Sequence, residues 1–261
     1  MVFLVHGWRI EGNFSRSGLA TFGILPELLT KEFNCNCSGF NYPTGLKTQT
    51  SLLEVSQSLR REIADCLFNL ILPPVQNEFE PIPIEFDPNS IDLNLVKIAI
   101  VAHSLGGVVA RKALTLLVEE EIFGLSKFIK LVVLIASPAS SADLIQLAQW
   151  LLNVLQGANL GLQLSEFITG SEFIEGLNQA WKQWLQDNPH CLFRCINGSR
   201  DPLVTLDDGR ILDTGYILLD YDHTEIKNVH DAQHPLFSEL EKLLVSAGFS
   251  LRSSGNISLS P

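Results

Sequence analysis

Residues 100–111 read IVAHSLGGVVAR. One serine, Ser104, stands between an apolar run and two glycines. The run from Val96 to Ala102 is broken only by Lys97. It is too short and too continuous for a half-exposed helix, and it reads as a buried strand of a parallel sheet. From Gly106 onward the stretch VVARKALTLLVEE reads as a helix. Ser104 therefore falls on a sharp strand-to-helix turn, where small residues let the two backbones approach. Such a turn holds a hydroxyl above the sheet, at a helix N-terminus that favours negative charge. A nucleophilic serine needs that shape. The pattern G-x-S-x-G is met except at its first position, where Ala102 stands, and alanine is still small.

The rest of the chain bounds what such a turn could serve. Its 261 residues suffice for one large domain with a sizeable core, and 46% hydrophobic residues argue against disorder. Asp and Glu number 29 and Lys and Arg 18, for a net charge of −11. That balance disfavours a nucleic-acid partner and electrostatic docking on anionic lipid. MVFLV at the start lacks a charged leader and reads as a first strand, not a secretion signal. The five cysteines are an odd number. Cys35 and Cys37 share one expected strand face and Cys191 and Cys195 another, which suits reduced core thiols better than a disulfide framework. Their spacing with His190 fits no zinc pattern, so no metal is expected. The expected compartment is cytoplasmic.

Strands and helices alternate along the chain. Strands are expected at 1–5, 35–42, 96–102, 128–137, 191–198 and 216–222. Helical spacing covers 19–33, interrupted by Pro26, then 51–72, the stretch after Gly106, most of 141–185, and the segment opening at His234-Pro235. Residues 73–92 hold five prolines, five acids and no Lys or Arg. They read as a loop, a possible surface for a protein partner. Residues 251–261 read as a disordered tail. The alternation predicts an α/β fold, a mainly parallel sheet with helices on both faces, in a single domain spanning 1–261. Ligand sites in such sheets lie beyond the carboxyl ends of the strands. The polar residues there are His6, Gly7 and Trp8; Ser104; Asp201; and His223.

Serine, acid and histidine occur in the chain order of an α/β-hydrolase. The sequence resembles that superfamily, in its lipase-like serine esterase branch. VFLVHGW is similar to the oxyanion-hole strand, FNYPTG to the next strand, AHSLGG to the nucleophile elbow, GSRDPLV to the acid turn and DHTEIK to the histidine loop. The resemblance covers residues 1 to about 248. It departs from the pattern at Ala102 and in a minimal N-terminal part, since the sheet starts at the oxyanion strand. The resemblance implies a serine esterase or lipase acting through an acyl-serine, with no cofactor. The expected substrate is a small-molecule or lipid ester.

The roles follow from chemistry. Ser104 would be the nucleophile, His223 its base and Asp201 the acid that orients the histidine. The Leu105 backbone N–H would be one oxyanion donor, and by resemblance the Trp8 backbone N–H the other. His6 and Gly7 would order the oxyanion loop, and His103 would pack or support from behind. Asp207 and Asp208 compete with Asp201, although Asp208-Gly209 reads as a hairpin turn. His230 and His234 compete with His223, although His234 reads as the start of a helix. Arg200 reads as a surface charge.

Residues 144–165, LIQLAQWLLNVLQGANLGLQLS, carry no charge. Gln146, Gln149, Asn153, Gln156, Asn159 and Gln163 form a narrow neutral stripe on a helical period. The stripe and two glycines argue against a transmembrane segment. Two readings stand: a buried core helix, or a helical cap (141–185) over an apolar acyl pocket. Two other readings of the whole chain also stand: a hydrolase module controlled by a sensor domain or partner, and an inactive hydrolase fold used for binding.

Overall fold

The structure, a computed structural model, describes residues 1–8, 18–44, 48–71, 95–119, 124–154 and 171–252. Among the described residues six strands form one sheet: β1 (Val2–Val5), β2 (Cys37–Phe40), β3 (Ile98–His103), β4 (Ile129–Ile135), β5 (Leu192–Gly198) and β6 (Ile217–Leu219). Their order is β2-β1-β3-β4-β5-β6, and every pairing is parallel. Parallel neighbours need crossovers, and helices α1 (Leu25–Glu32), α2 (Leu52–Ile71), α3 (Leu105–Glu119), α4 (Ser141–Val154), α5 (Ser171–Asp187), α6 (Leu206–Leu212) and α7 (Pro235–Ser246) supply them or close the fold.

The period-2 alternation of the strands splits the core in two. Phe3, Val5, Ile98, Ile100 and Ala102 face one way and join Leu59 and Ile63 of α2, Val108 and Val109 of α3, Leu147 of α4 and Trp181 of α5. Val2, Leu4, Ala99 and Val101 face the other way and join Leu25 and Leu29 of α1 and Leu236, Leu240 and Leu244 of α7. Each such Val, Leu, Ile or Phe side chain contributes about 1.5–3 kcal/mol by burial, so the doubly covered sheet is the main source of stability. From β1 the chain moves outward to β2, then returns across β1 to β3. That reversal sets the carboxyl ends of β1 and β3 side by side, with Val5 paired to Ala102.

Local chemistry sets the ends of the elements. Ser51 and Glu54 form a reciprocal cap on α2: Glu54 N donates to Ser51 Oγ (3.1 Å) and Ser51 N to Glu54 Oε2 (2.7 Å). At α7, His234 is the N-cap, its Nδ1 accepting from Leu236 N at 3.2 Å, with Pro235 in the first turn. Arg111 is fully buried and joins α3 to the β4–α4 connection. Its Nη2 donates to Pro138 O (2.8 Å) and its Nη1 to Asn178 Oδ1 (2.6 Å), while Asn178 Nδ2 donates to Ala139 O (2.7 Å).

Three expectations are corrected. The break within 19–33 lies at Gly23, with φ +62°, where a Cβ would meet the Val229 carbonyl; Pro26 sits in the first turn of α1, where proline is tolerated. Asp208-Gly209 is no hairpin turn but lies within α6, because β5 and β6 are parallel and need a crossover. Leu251 and Arg252 are paired, not frayed: Leu251 bridges Phe33, and Arg252 donates through N to Glu32 O (2.8 Å) and through Nε to Phe33 O (3.0 Å). Arg200 is a surface charge, as expected, and bonds Asp220 Oδ1 at 3.0 Å and Glu225 Oε2 at 3.2 Å. Residues 73–92, 253–261 and, within the segment read as either cap or core helix, residues 155–170 lie outside the described residues. Among the described residues no helix is long and apolar enough to cross a membrane.

Candidate active site

Ser104 links β3 to α3 with φ +53°, a left-handed conformation that costs a non-glycine residue about 1–3 kcal/mol. The surroundings hold it there. Ser104 N donates to Ile135 O of β4 at 2.9 Å, and its carbonyl accepts from Gly107 N at 2.9 Å. The glycines explain themselves by close approach. A Cβ on Gly106 would lie 2.5 Å from the carbonyl oxygens of Val5 and His6, and one on Gly107 would lie 2.2 Å from Ser137 Oγ. Ala102, at the position where the pattern has glycine, is fully buried in the α2–α3 face of the core, which accommodates its methyl.

Three residues from distant parts of the chain meet at this turn. Ser104 Oγ lies 2.9 Å from His223 Nε2, and His223 Nδ1 lies 2.8 Å from Asp201 Oδ2. A carboxylate accepts, so Nδ1 carries the proton and Nε2 is free to accept from the serine hydroxyl. The side chains of Asp201 and His223 are 0% and 7% exposed. Asp201 Oδ1 accepts from Leu203 N (2.8 Å) and Val204 N (3.1 Å), so both oxygens are committed and the carboxylate cannot rotate freely. The competitors are elsewhere: Asp207 is exposed and bonds Arg210, His230 is exposed, and His234 caps α7.

The predicted supporting residues surround this chain. A Cβ on Gly7 would lie 2.7 Å from Ser104 Cβ, so the Gly7 backbone, between His6 and Trp8 in the chain, lies against the serine. Leu105 is the first residue of α3, where backbone N–H groups have no partner within the helix. His6 is buried and its Nδ1 donates to Gly7 O at 2.6 Å. His103 is buried and its Nε2 donates to His223 O at 2.8 Å, while its Nδ1 has no hydrogen-bond partner among the described residues. Burial above all, aided by the nearby His223 and Lys227, holds His103 well below the usual histidine range. It is therefore the neutral Nε2–H tautomer. The Trp8 side chain is half-buried against the α2–α3 face of the core, and its indole Nε1 is buried with no hydrogen-bond partner among the described residues.

Two contributors were missed in the sequence. Tyr42 donates its hydroxyl to His6 O at 2.6 Å and stacks on the His6 ring at 4.3 Å. Asp143 is buried and accepts from Thr205 N at 2.8 Å, next to the Asp201 turn. Only an aromatic after the second strand and a lone acid at the start of an uncharged segment hinted at them. The cysteines are free, and burial pushes the Cys191 thiol up to about 12. No cluster of metal-binding side chains occurs among the described residues.

The mainly parallel sheet, helices on both faces and strand-to-helix turn at the switch point define the chain as having the α/β-hydrolase fold. Within that class, residues 84–141, which span β3, α3 and β4, match the family described as "Putative serine esterase (DUF676)". Among solved structures the chain is similar to phospholipase PlaB from Legionella pneumophila, at 16% identity and TM-score 0.61, over 94% of this chain and 59% of that one. It is also similar to lipase BlEst2 from Bacillus licheniformis in its mature form (14% identity, TM-score 0.57, 95% of this chain and 91% of that one). A third is Est1E from Butyrivibrio proteoclasticus (10% identity, TM-score 0.52, 94% and 87%). At these identities the likeness is one of fold. No curated protein sequence matches the chain.

Proposed function

We propose that this chain is a serine hydrolase that cleaves carboxylic esters with apolar acyl groups, through an acyl-serine intermediate. The observation that carries the reading is the hydrogen-bonded line from Ser104 Oγ through His223 to Asp201, at 2.9 and 2.8 Å. In the proposed reaction Ser104 Oγ attacks the acyl carbon while its proton passes to His223 Nε2. Asp201 stabilises the resulting imidazolium. The carbonyl oxygen becomes an oxyanion, met by the backbone N–H groups of Leu105 and Trp8, each worth about 3–4 kcal/mol where such donors have been removed. Collapse expels the alkoxide, which takes the proton from His223. Water then attacks the acyl-serine with His223 again as base, releasing the acid and restoring the hydroxyl.

The apolar acyl preference rests on α4. Its Gln146, Gln149 and Asn153 are exposed, whereas Ile145, Trp150 and Leu152 are only partly buried. Gln146 Nε2 also donates to Pro202 O, so the helix runs from the acid turn. Leu144, Leu147, Ala148 and Leu151 are core. One helix thus serves both the core and, in this proposal, the rim of an acyl pocket. The test is hydrolysis of p-nitrophenyl esters of increasing chain length by wild type and by Ser104→Ala. Turnover that rises with chain length and disappears in the folded variant is expected. Equal turnover by the variant would overturn the reading.

A further inference from the structure

The turn that carries Asp201 is held at both ends by α4. Next to Asp201, the Pro202 carbonyl accepts from Gln146 Nε2. At the far end, Thr205 N donates to Asp143 Oδ2 at 2.8 Å, and the Thr205 hydroxyl lies 3.4 Å from the same oxygen. Between these two contacts the N–H groups of Leu203 and Val204 go to Asp201 Oδ1. Three successive backbone donors, from 203 to 205, therefore end on two carboxylates. Asp143 is 2% exposed, and its own N–H donates to Ser140 Oγ at 3.1 Å, which fixes the start of α4. A carboxylate in so dry a place needs strong partners, and a backbone N–H is a charge-assisted one.

We propose that Asp143 is a positioning residue for the Asp201–His223 pair. It does not touch His223 or the serine. By closing the 201–205 turn onto α4 it keeps Asp201 Oδ2 aimed at His223 Nδ1, and Gln146 does the same from the other end of the turn. The account rests on the serine-hydrolase reading for its catalytic consequence, but not for its structural one. If the turn relaxes, the Asp201–His223 bond lengthens and the imidazole loses its orientation. Errors of that kind act on the chemical step and leave ground-state binding largely intact.

The experiment pairs kinetics with a measurement that needs no substrate. Asp143→Ala, Asp143→Asn and Gln146→Ala are compared with wild type on p-nitrophenyl butyrate, and the low-field proton resonance of His223 Nδ1–H is followed by NMR. Asp143→Ala is expected to lower kcat about 10–100-fold with KM unchanged, and to broaden or shift the resonance. Asn keeps an oxygen for Thr205 N, so Asp143→Asn should recover most of the rate. Gln146→Ala, at an exposed side chain, should give a smaller change of the same kind and serves if Asp143→Ala does not fold. An unmoved resonance with unchanged kcat in the folded variants would overturn the proposal. A resonance that moves in a chain with no measurable ester turnover would leave the positioning intact and overturn the hydrolase reading instead.

Discussion

His103 Nε2 donates to the backbone oxygen of His223 across 2.8 Å, so one neutral buried histidine holds the backbone of the other. Protonating His103 would place a charge in a fully buried site and convert its unpartnered Nδ1 into a second buried donor. Its folded pKa is depressed, chiefly by burial, relative to about 6.5 in the unfolded chain. Below that value the unfolded state binds the extra proton, so stability present above about pH 6.5 is lost as pH falls toward the folded value. His103→Gln, which keeps an N–H for His223 O, is expected to flatten this acid slope. Melting temperatures between neutral and mildly acid pH, on wild type and variant, test it; parallel slopes would count against the assignment.

Ser104 is held at φ +53°, and glycine adopts that conformation without a steric penalty. Ser104→Gly should therefore abolish ester turnover yet raise stability by about 1 kcal/mol. Denaturant unfolding measures the gain. A loss of stability would mean that the serine side chain earns more from its contacts than the strained backbone costs.

Tyr42→Phe removes one hydroxyl and leaves the buried His6 carbonyl without that donor. The expected cost is about 1–3 kcal/mol in stability. Because Gly7, next to His6, lies against Ser104, a drop in kcat with little change in KM should accompany it. A variant destabilised but fully active would make Tyr42 a packing residue alone.

Two neighbours on α4 separate its two jobs. Leu151 is 1% exposed, so Leu151→Ala should cost about 2–5 kcal/mol in stability and leave the acyl-length profile in place. Trp150 is only partly buried, so Trp150→Ala should flatten that profile, which otherwise gains up to about 0.8 kcal/mol per methylene. Ester series and melting curves on both variants decide. If Trp150→Ala lowers only the melting temperature, the acyl-pocket role of α4 falls.

The strands were legible because a doubly covered parallel sheet demands continuous apolar runs, as in 98–103 and 129–135. The meeting of Ser104, Asp201 and His223 was legible because each follows a strand, and strand ends converge on one edge. Tyr42 and Asp143 were not, since their partners His6 and Thr205 lie 36 and 62 residues away and no local pattern encodes such contacts. Asp208-Gly209 misled for the opposite reason. Its local turn chemistry is real, but the parallel pairing of β5 and β6 requires a helix there. Gly23 was overlooked beside Pro26, although a left-handed φ breaks a helix more surely than a proline in its first turn.

The central claim is that Ser104 is the nucleophile. The tryptic fragment 98–111 contains Ser104 as its one serine. Mass spectrometry of that fragment, after exposure of the folded protein to a fluorophosphonate, tests the claim most directly. The account predicts stoichiometric mass addition at Ser104, slowed by about 1,000-fold or more in His223→Ala. Addition at another residue, or an unmodified Ser104 in folded protein exposed to excess reagent, would contradict it.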